Sequence, residues 1–512
     1  MLRAIAGVTV VLFASLASAQ HEVTFKVTGE DGELMPCRIH VSDEDGKPVL
    51  AKDLPAWRDH FVCEGKATLS VSNGKYEYVV ERGKEFTPQN GSFKIENTDA
   101  KITVTLSRAI DMAARGWYSG ELHVHRAVEE LPLHMQAEDL HVAPVITWWN
   151  GRDLWKSRPL PETTRYTVNG NRFYDVMSGE DEREGGALMY YGLKKPLPLP
   201  GGKGQFPEYP SPMKFVELAR KHDNVWIDLE KPFWWDTPVW LASGQINSVG
   251  LANNHMCRSQ MYETEAWGRP RDAKRLPPPR GNGMWTQEIY YHILNSGLRI
   301  PPSAGSASGV LPNPVGYNRV YVHTAEKFSW DAWWRGLRRG RSFVTNGPLL
   351  ICTVNGKVPG DVFRQVGGRI ALKLKIEMQS HDNVPAIEVV WNGKVVRSLT
   401  TEGRESAQLE AKLEFNGPGW LLVRAIADRK ETFRFASTAP WYVELANPDI
   451  ADAPGWTYSS RKSAQFFADW VDERIERVAQ KLKDPAKLRA VLEHHEKARV
   501  FWQKRVAAST AP

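Results

Sequence analysis

The chain has 512 residues, 42% hydrophobic and 25% charged, with a formal net charge of +6. That length implies several domains, each able to bury its own core, and the composition is ordinary for a soluble globular protein. The small charge excess, with no basic-aromatic recognition module, excludes a nucleic-acid-binding class.

Residues 1–19 read as a secretory signal. Arg3 gives a positive start, Ala4 to Leu16 is mostly apolar, and Ala17-Ser18-Ala19 is a small-x-small cleavage site, with the cut before Gln20. The apolar run is short against the roughly 20 residues of a membrane span. No later stretch is long and apolar enough to cross. A periplasmic or secreted protein is expected, with no stable membrane insertion after signal cleavage. Of the four cysteines, at 37, 63, 257 and 352, Cys37 and Cys63 fall in one predicted domain. A disulfide and two buried free thiols are both open there, because pairing does not follow from sequence. No CxxC is present.

Residues 20–108 predict a small β-sandwich. Val23, Phe25 and Val27 alternate, as do Cys37, Ile39 and Val41, and Asp45-Gly46 and Asn73-Gly74 are hairpin-type turns. The stretch Pro36 to Val41 before Asp45-Gly46 resembles carboxypeptidase-regulatory-like modules. Residues 109–345 alternate short apolar runs with helical stretches, the pattern of βα units and a parallel sheet. Val142–Thr147, Val225–Glu230 and Ile246–Leu251 predict strands; Met213–His222, Thr286–Asn295 and Trp330–Arg339 predict helices. Residues 346–447 return to alternation, with Asn392-Gly393 as a hairpin turn, and predict a second sandwich. In the tail, 448–512, two apolar stripes separated by Asp484-Pro485 predict a helical hairpin.

The chemistry concentrates in Gly120-Glu121-Leu122-His123-Val124-His125. Read as a strand, Glu121, His123 and His125 share one face. Two imidazoles and a carboxylate suit a borderline divalent metal such as zinc. Other polar groups follow predicted strands: Glu180, with Glu182 as a rival; Asp228 and Glu230 on one face; His255 after Ile246–Leu251; Ser306 and Ser308. In parallel α/β folds reactive groups gather at the carboxyl ends of strands. Many of the 20 tryptophans belong to this region, among them Trp148, Trp149, Trp234 and Trp235. Aromatic faces of that kind suit sugars or aromatic groups, and also plain core packing.

The segment Trp117 to His125 resembles the opening metal motif of the polymerase-and-histidinol-phosphatase (PHP) superfamily, in its CehA/McbA-type branch. The resemblance extends through Tyr290 to Ser306 and Gly340 to Pro348. It implies a central PHP-like distorted (β/α)7 barrel, here flanked by two β-sandwich domains and a C-terminal helical hairpin, a multidomain α/β plus all-β chain. It also implies metal-dependent hydrolysis of an ester, carbamate or phosphoester bond in a small-molecule or carbohydrate-like substrate. His123 and His125 match directly. Where members carry Asp-His this chain has Thr147-Trp148-Trp149-Asn150, and where they carry Asp-x-His it has Ser306-Ala307-Ser308. Glu230-Lys231-Pro232 stands in place of a His-Pro pair. The expected site is a single divalent ion, zinc or manganese, on His123, His125, Glu230 and His255 with Glu180. Glu180 or Asp228 is the expected proton acceptor, and Arg258 or Arg319 the expected anchor for an anionic substrate. The alternative is a secreted glycan-binding or scaffold protein on the same fold with a degenerate metal site.

Overall fold

The computed structural model describes residues 20–201, 207–365, 368–445 and 457–511. The predicted signal lies outside them. Within them the protein is mixed α/β, rich in strands, with seven α-helices, and no helix is long and apolar enough to cross a membrane.

In the amino-terminal part the strand His21–Thr28 pairs with Lys66–Val71 and Ala100–Thr105. A second sheet joins Cys37–Asp43, His60–Cys63, Gly74–Glu81 and Gln89–Ile95. Alternation sends Val23, Phe25, Ile39, Phe61 and Val80 into one apolar core between the sheets. Cys37 and Cys63 are cross-strand partners in that core, as free thiols with their sulfurs 3.7 Å apart.

Centrally, Val142–Trp149 runs parallel to both Trp117–Gly120 and Arg172–Arg183, and Trp226–Leu229, Ser248–Ala252 and Pro302–Ala304 form a second parallel run. Gly186–Tyr191 joins the two runs, antiparallel to both neighbours, so the expected all-parallel order is interrupted by a hairpin. The helices Pro212–Ala219, Gly281–Asn295 and Trp330–Arg338 pack on this sheet through Phe215, Ile289 and Trp333. Residue 345 is no break in the hydrogen bonding: Ser342–Thr345 pairs onward with Phe435–Thr438.

Beyond it, Leu349–Val354, Arg369–Gln379 and Ser406–Asn416 make one sheet, facing Ala386–Trp391 and Gly419–Ile426 across a core containing Leu374, Ile376, Val389 and Val423. The tail folds as two helices, Arg461–Lys481 and Pro485–Ala507. The Asp484 side chain caps the second by accepting from the Ala486 and Lys487 amides, and Trp470 and Trp502 are buried in the central core.

Candidate metal centre

The regular strand Trp117–Gly120 ends before the histidines. The chain continues extended, held by Val124, which bridges Val145 on one side and Ser308 on the other. His123 and His125 flank Val124 and turn to the opposite side. Glu121 does not join them. Its carboxylate accepts from the Ser306 amide at 2.6 Å and from the Gly316 amide, and burial raises its pKa to about 7.

Strand pairing supplies the third group. Trp148 lies opposite Gly179 and Trp149 opposite Glu180, after two register shifts in Val142–Trp149; bulges of this kind re-aim side chains beside sites. Gly179 is required there, since a Cβ would come within 2.0 Å of the Trp148 ring. Glu180 thus sits against both imidazoles. Its Oε2 is 3.2 Å from His125 Nε2 and 3.6 Å from His123 Nε2, and the two Nε2 atoms are 2.9 Å apart. Zinc–ligand bonds of about 2.0–2.1 Å at tetrahedral angles set ligand atoms about 3.3 Å apart, and these distances bracket that value.

Glu230 follows the strand Trp226–Leu229 and approaches the other side of the same ring, with Oε1 3.3 Å from His123 Nδ1. Its Oε2 accepts from the Lys231 ammonium and from Trp234 Nε1 at 3.1 Å. The neighbouring backbone is packed for this: a Cβ on Gly250 would lie 1.8 Å from the Glu230 carbonyl, and one on Gly305 would lie 2.3 Å from the His123 Cβ. Burial disfavours a charged His123, but Glu180 and Glu230 outweigh it and raise its pKa to about 10. His125 is pushed down by burial. Burial also works against the Glu180 carboxylate, yet His123 holds its pKa well below the usual range. Glu180 Oε2, Glu230 Oε1 and His123 Nδ1 are buried and make no well-aligned hydrogen bond. Two imidazole nitrogens and a buried carboxylate oxygen, Glu180 Oε2, that lacks an aligned hydrogen bond make a donor set that fits a divalent cation.

The remaining expected residues fall elsewhere. His255 stands outside this group; its ring packs 5.5 Å from Phe233 and 5.6 Å from Tyr262, and burial, with Lys231 beside it, lowers its pKa to about 3. Asp228 lies in the sheet floor, accepting from the Ser248 and Ser303 hydroxyls, with burial raising its pKa to about 6. Arg258 pairs with Glu81 at 3.0 Å. Arg319, fully buried, donates to the carbonyls of Gly316 at 2.6 Å and Glu138 at 3.1 Å. Each guanidinium thus already has partners within the protein.

Two neighbours gain weight. Glu182 shares the face of Glu180 two residues on, accepts from Trp149 Nε1 at 3.1 Å, and is raised to about 8 by burial and then by Glu180. Trp149 lies 5.0 Å from the His125 ring, and the exposed Arg152 guanidinium stacks over Trp149 at 4.9 Å. The period-2 spacing of Glu180 and Glu182 was available in the sequence; the Arg152–Trp149 stack, made across a turn, was not.

No family model and no curated protein matches the chain. Among solved structures, the CARDB domain of a Pyrococcus furiosus protein, determined in complex with di-metal ions, is 17% identical over 20% of this chain and 90% of its own, with a TM-score of 0.14. The Bacillus anthracis TIE protein is 8% identical over 84% of this chain and 51% of its own, with a TM-score of 0.13. Likenesses this slight carry no argument about fold or function.

Proposed function

We propose that the protein is an exported metal-dependent hydrolase with a PHP-like distorted (β/α)7 barrel of the CehA/McbA type, acting on an ester, carbamate or phosphoester bond. The observation that carries this reading is the convergence of His123 Nε2, His125 Nε2 and Glu180 Oε2 within 3.6 Å of one another, with Glu230 set against His123 Nδ1. Those three side chains would hold one divalent ion, zinc or manganese. When bound, such an ion supplies Lewis-acid polarisation and acidifies water toward neutrality.

The chain's own groups supply the rest. Glu230 fixes the His123 ring through Nδ1, a carboxylate–imidazole relay that orients the ligand nitrogen. The Lys231 ammonium neutralises Glu230, a fixed charge consistent with one ion rather than three. Glu182 is placed to hold or pass a proton beside the reacting groups. Trp149 and Arg152 form a rim where an apolar and an anionic part of a substrate can lie.

A second reading, glycan binding on a degenerate site, is favoured by a separate cleft of about 430 Å³ lined by Tyr191, Trp226, Trp330, Trp334 and Arg338. The deciding experiment strips the full chain with a chelator and assays aryl esters, carbamates and phosphoesters with zinc or manganese restored. Metal-dependent turnover in the wild type, lost in Glu180→Ala, supports the hydrolase. A metal-loaded protein without turnover that saturates with an oligosaccharide would replace it with the second reading.

A further inference from the structure

A second group of ligand-type side chains lies in the amino-terminal part, built from different strands. In the antiparallel pair Cys37–Asp43 and His60–Cys63, the register Cys37–Cys63, Arg38–Val62, Ile39–Phe61 brings His40 opposite His60. Alternation turns Ile39 and Phe61 into the apolar core and both imidazoles to the other side, where they are buried with ring centroids 5.2 Å apart. Asp59 comes from the tight turn between Ala56–Trp57 and His60–Cys63. Arg58 in that turn has φ +55, a left-handed conformation uncommon for a residue other than glycine. That geometry folds the Asp59 carboxylate back onto both rings. Oδ1 is 2.9 Å from His60 Nδ1 and Oδ2 is 3.3 Å from His40 Nδ1. The three ligand atoms all lie within 4.8 Å of one another.

We propose that His40, Asp59 and His60 hold a second divalent cation, of the zinc type, which fastens the Ala56–Cys63 hairpin to its sheet and thereby to the rim of the candidate hydrolase site. Three protein ligands of this N2O kind suit such an ion, with a fourth position for water. The Asp59 side chain is 41% exposed, which provides the way in. Outer support is present. His40 Nε2 lies 3.3 Å from Glu81 Oε2, the arrangement that fixes a metal-ligating imidazole through its far nitrogen. Arg38 Nε donates to this nitrogen at 3.0 Å, a bond that a cation on Nδ1 would have to displace. With a cation on Nδ1 the far nitrogen carries the proton and bonds to Glu81, while Arg38 keeps its ion pairs to Glu81 and Glu138.

The hairpin bonds to segments adjoining the central site. Trp57 Nε1 donates to the Leu311 carbonyl at 2.7 Å, and the guanidinium of Arg126, next in sequence to His125, donates to the Ala56 carbonyl at 3.1 and 3.2 Å. An ion at His40, Asp59 and His60 is therefore a structural brace for the rim. It does not depend on the central site being catalytic.

The test uses the full chain carrying His125→Ala and Glu180→Ala, which removes the central ligand set, stripped by chelator and titrated with zinc by calorimetry. One equivalent should bind. Adding Asp59→Asn, which keeps the side chain's size and its ability to hydrogen-bond one imidazole, should weaken that binding at least tenfold while the circular dichroism of the metal-free protein stays unchanged. Zinc should also slow trypsin cleavage after the exposed Arg58 in the double variant, and not once Asp59→Asn is present. Zero equivalents in the double variant, or one equivalent unaffected by Asp59→Asn, overturns the proposal and leaves a metal-free hydrogen-bonded cluster.

Discussion

Glu230, expected among the ligands, stands beside His123 and outside the group formed by His123, His125 and Glu180. It lies 3.3 Å from the His123 nitrogen that faces away from Glu180, so on the proposed reading it would aim the ring. Loss of such an orienting partner typically lowers metal affinity about 10–100-fold. Glu230→Gln should therefore retain the central ion at saturating concentration but with a dissociation constant raised by about that factor, measured by competition with a chromophoric chelator. Glu180→Ala should lose the ion outright, and equal affinities for the two variants would contradict the division of roles. Which residues would meet was partly legible beforehand. His123, His125, Glu180 and Glu182 obey the two-residue period of extended chain. Glu121 obeys it in the sequence but not in the fold, because the regular strand stops at Gly120 and two backbone amides, from Ser306 and Gly316, capture its carboxylate. His255 sits on a loop whose path no periodicity encodes.

At the level of elements, glycines explain where pattern reading stopped short. The helix expected from Thr286 begins at Gly281. Gly281 and Gly283 are poor helix formers, yet a Cβ at either would press within 2.0 Å of the Leu276 carbonyl or 2.5 Å of the Phe433 ring. Tertiary packing therefore fixes residues that propensity rejects. The hairpin turn Asn392-Gly393 was legible because both residues adopt positive φ, 49 and 82 degrees, which that pair tolerates. The same helix, Gly281–Asn295, carries His292. Its ring stacks on Phe466 at 4.2 Å and shares a 2.9 Å hydrogen bond with Ser463 of the first tail helix. Burial lowers its pKa to about 4, so the folded protein holds it neutral. That contribution is complete above the unfolded value of about 6.5 and is lost as pH falls through the window down to about 4. Relative to pH 7.5, the wild type at pH 5 should lose about 2 kcal/mol more unfolding free energy than His292→Gln, as read from denaturant titrations. Identical pH dependence in the two proteins would show that this ring does not report the helix contact.

Across the whole molecule, the tail is a clamp on the central domain. Arg474, 1% exposed, forms ion pairs with Asp236 and Glu208 at 2.6 Å, and Trp502 Nε1 donates to the Pro238 carbonyl at 2.9 Å. Asp236 follows Glu230 within the same loop, so the clamp and the candidate centre share a segment. Arg474→Met would leave the half-buried Glu208 without this partner and Asp236 with only His495 Nε2, at 3.4 Å, and breaking a buried pair costs about 3–5 kcal/mol. We expect a loss of that size in chemical denaturation, where a change below about 1 kcal/mol would mean the tail docks through its apolar stripes alone. The broad division into strand-rich ends, a mixed centre and a helical tail follows from local periodicity. The antiparallel strand Gly186–Tyr191 and the onward pairing of Ser342–Thr345 do not, since long-range pairing leaves little trace in local pattern. The most direct test of the account is the metal content per chain of the purified protein beside its His125→Ala/Glu180→Ala variant, both equilibrated with zinc and desalted. One equivalent fewer in the variant, with folding unchanged by circular dichroism, is the predicted result. Equal metal content in the two proteins would contradict it.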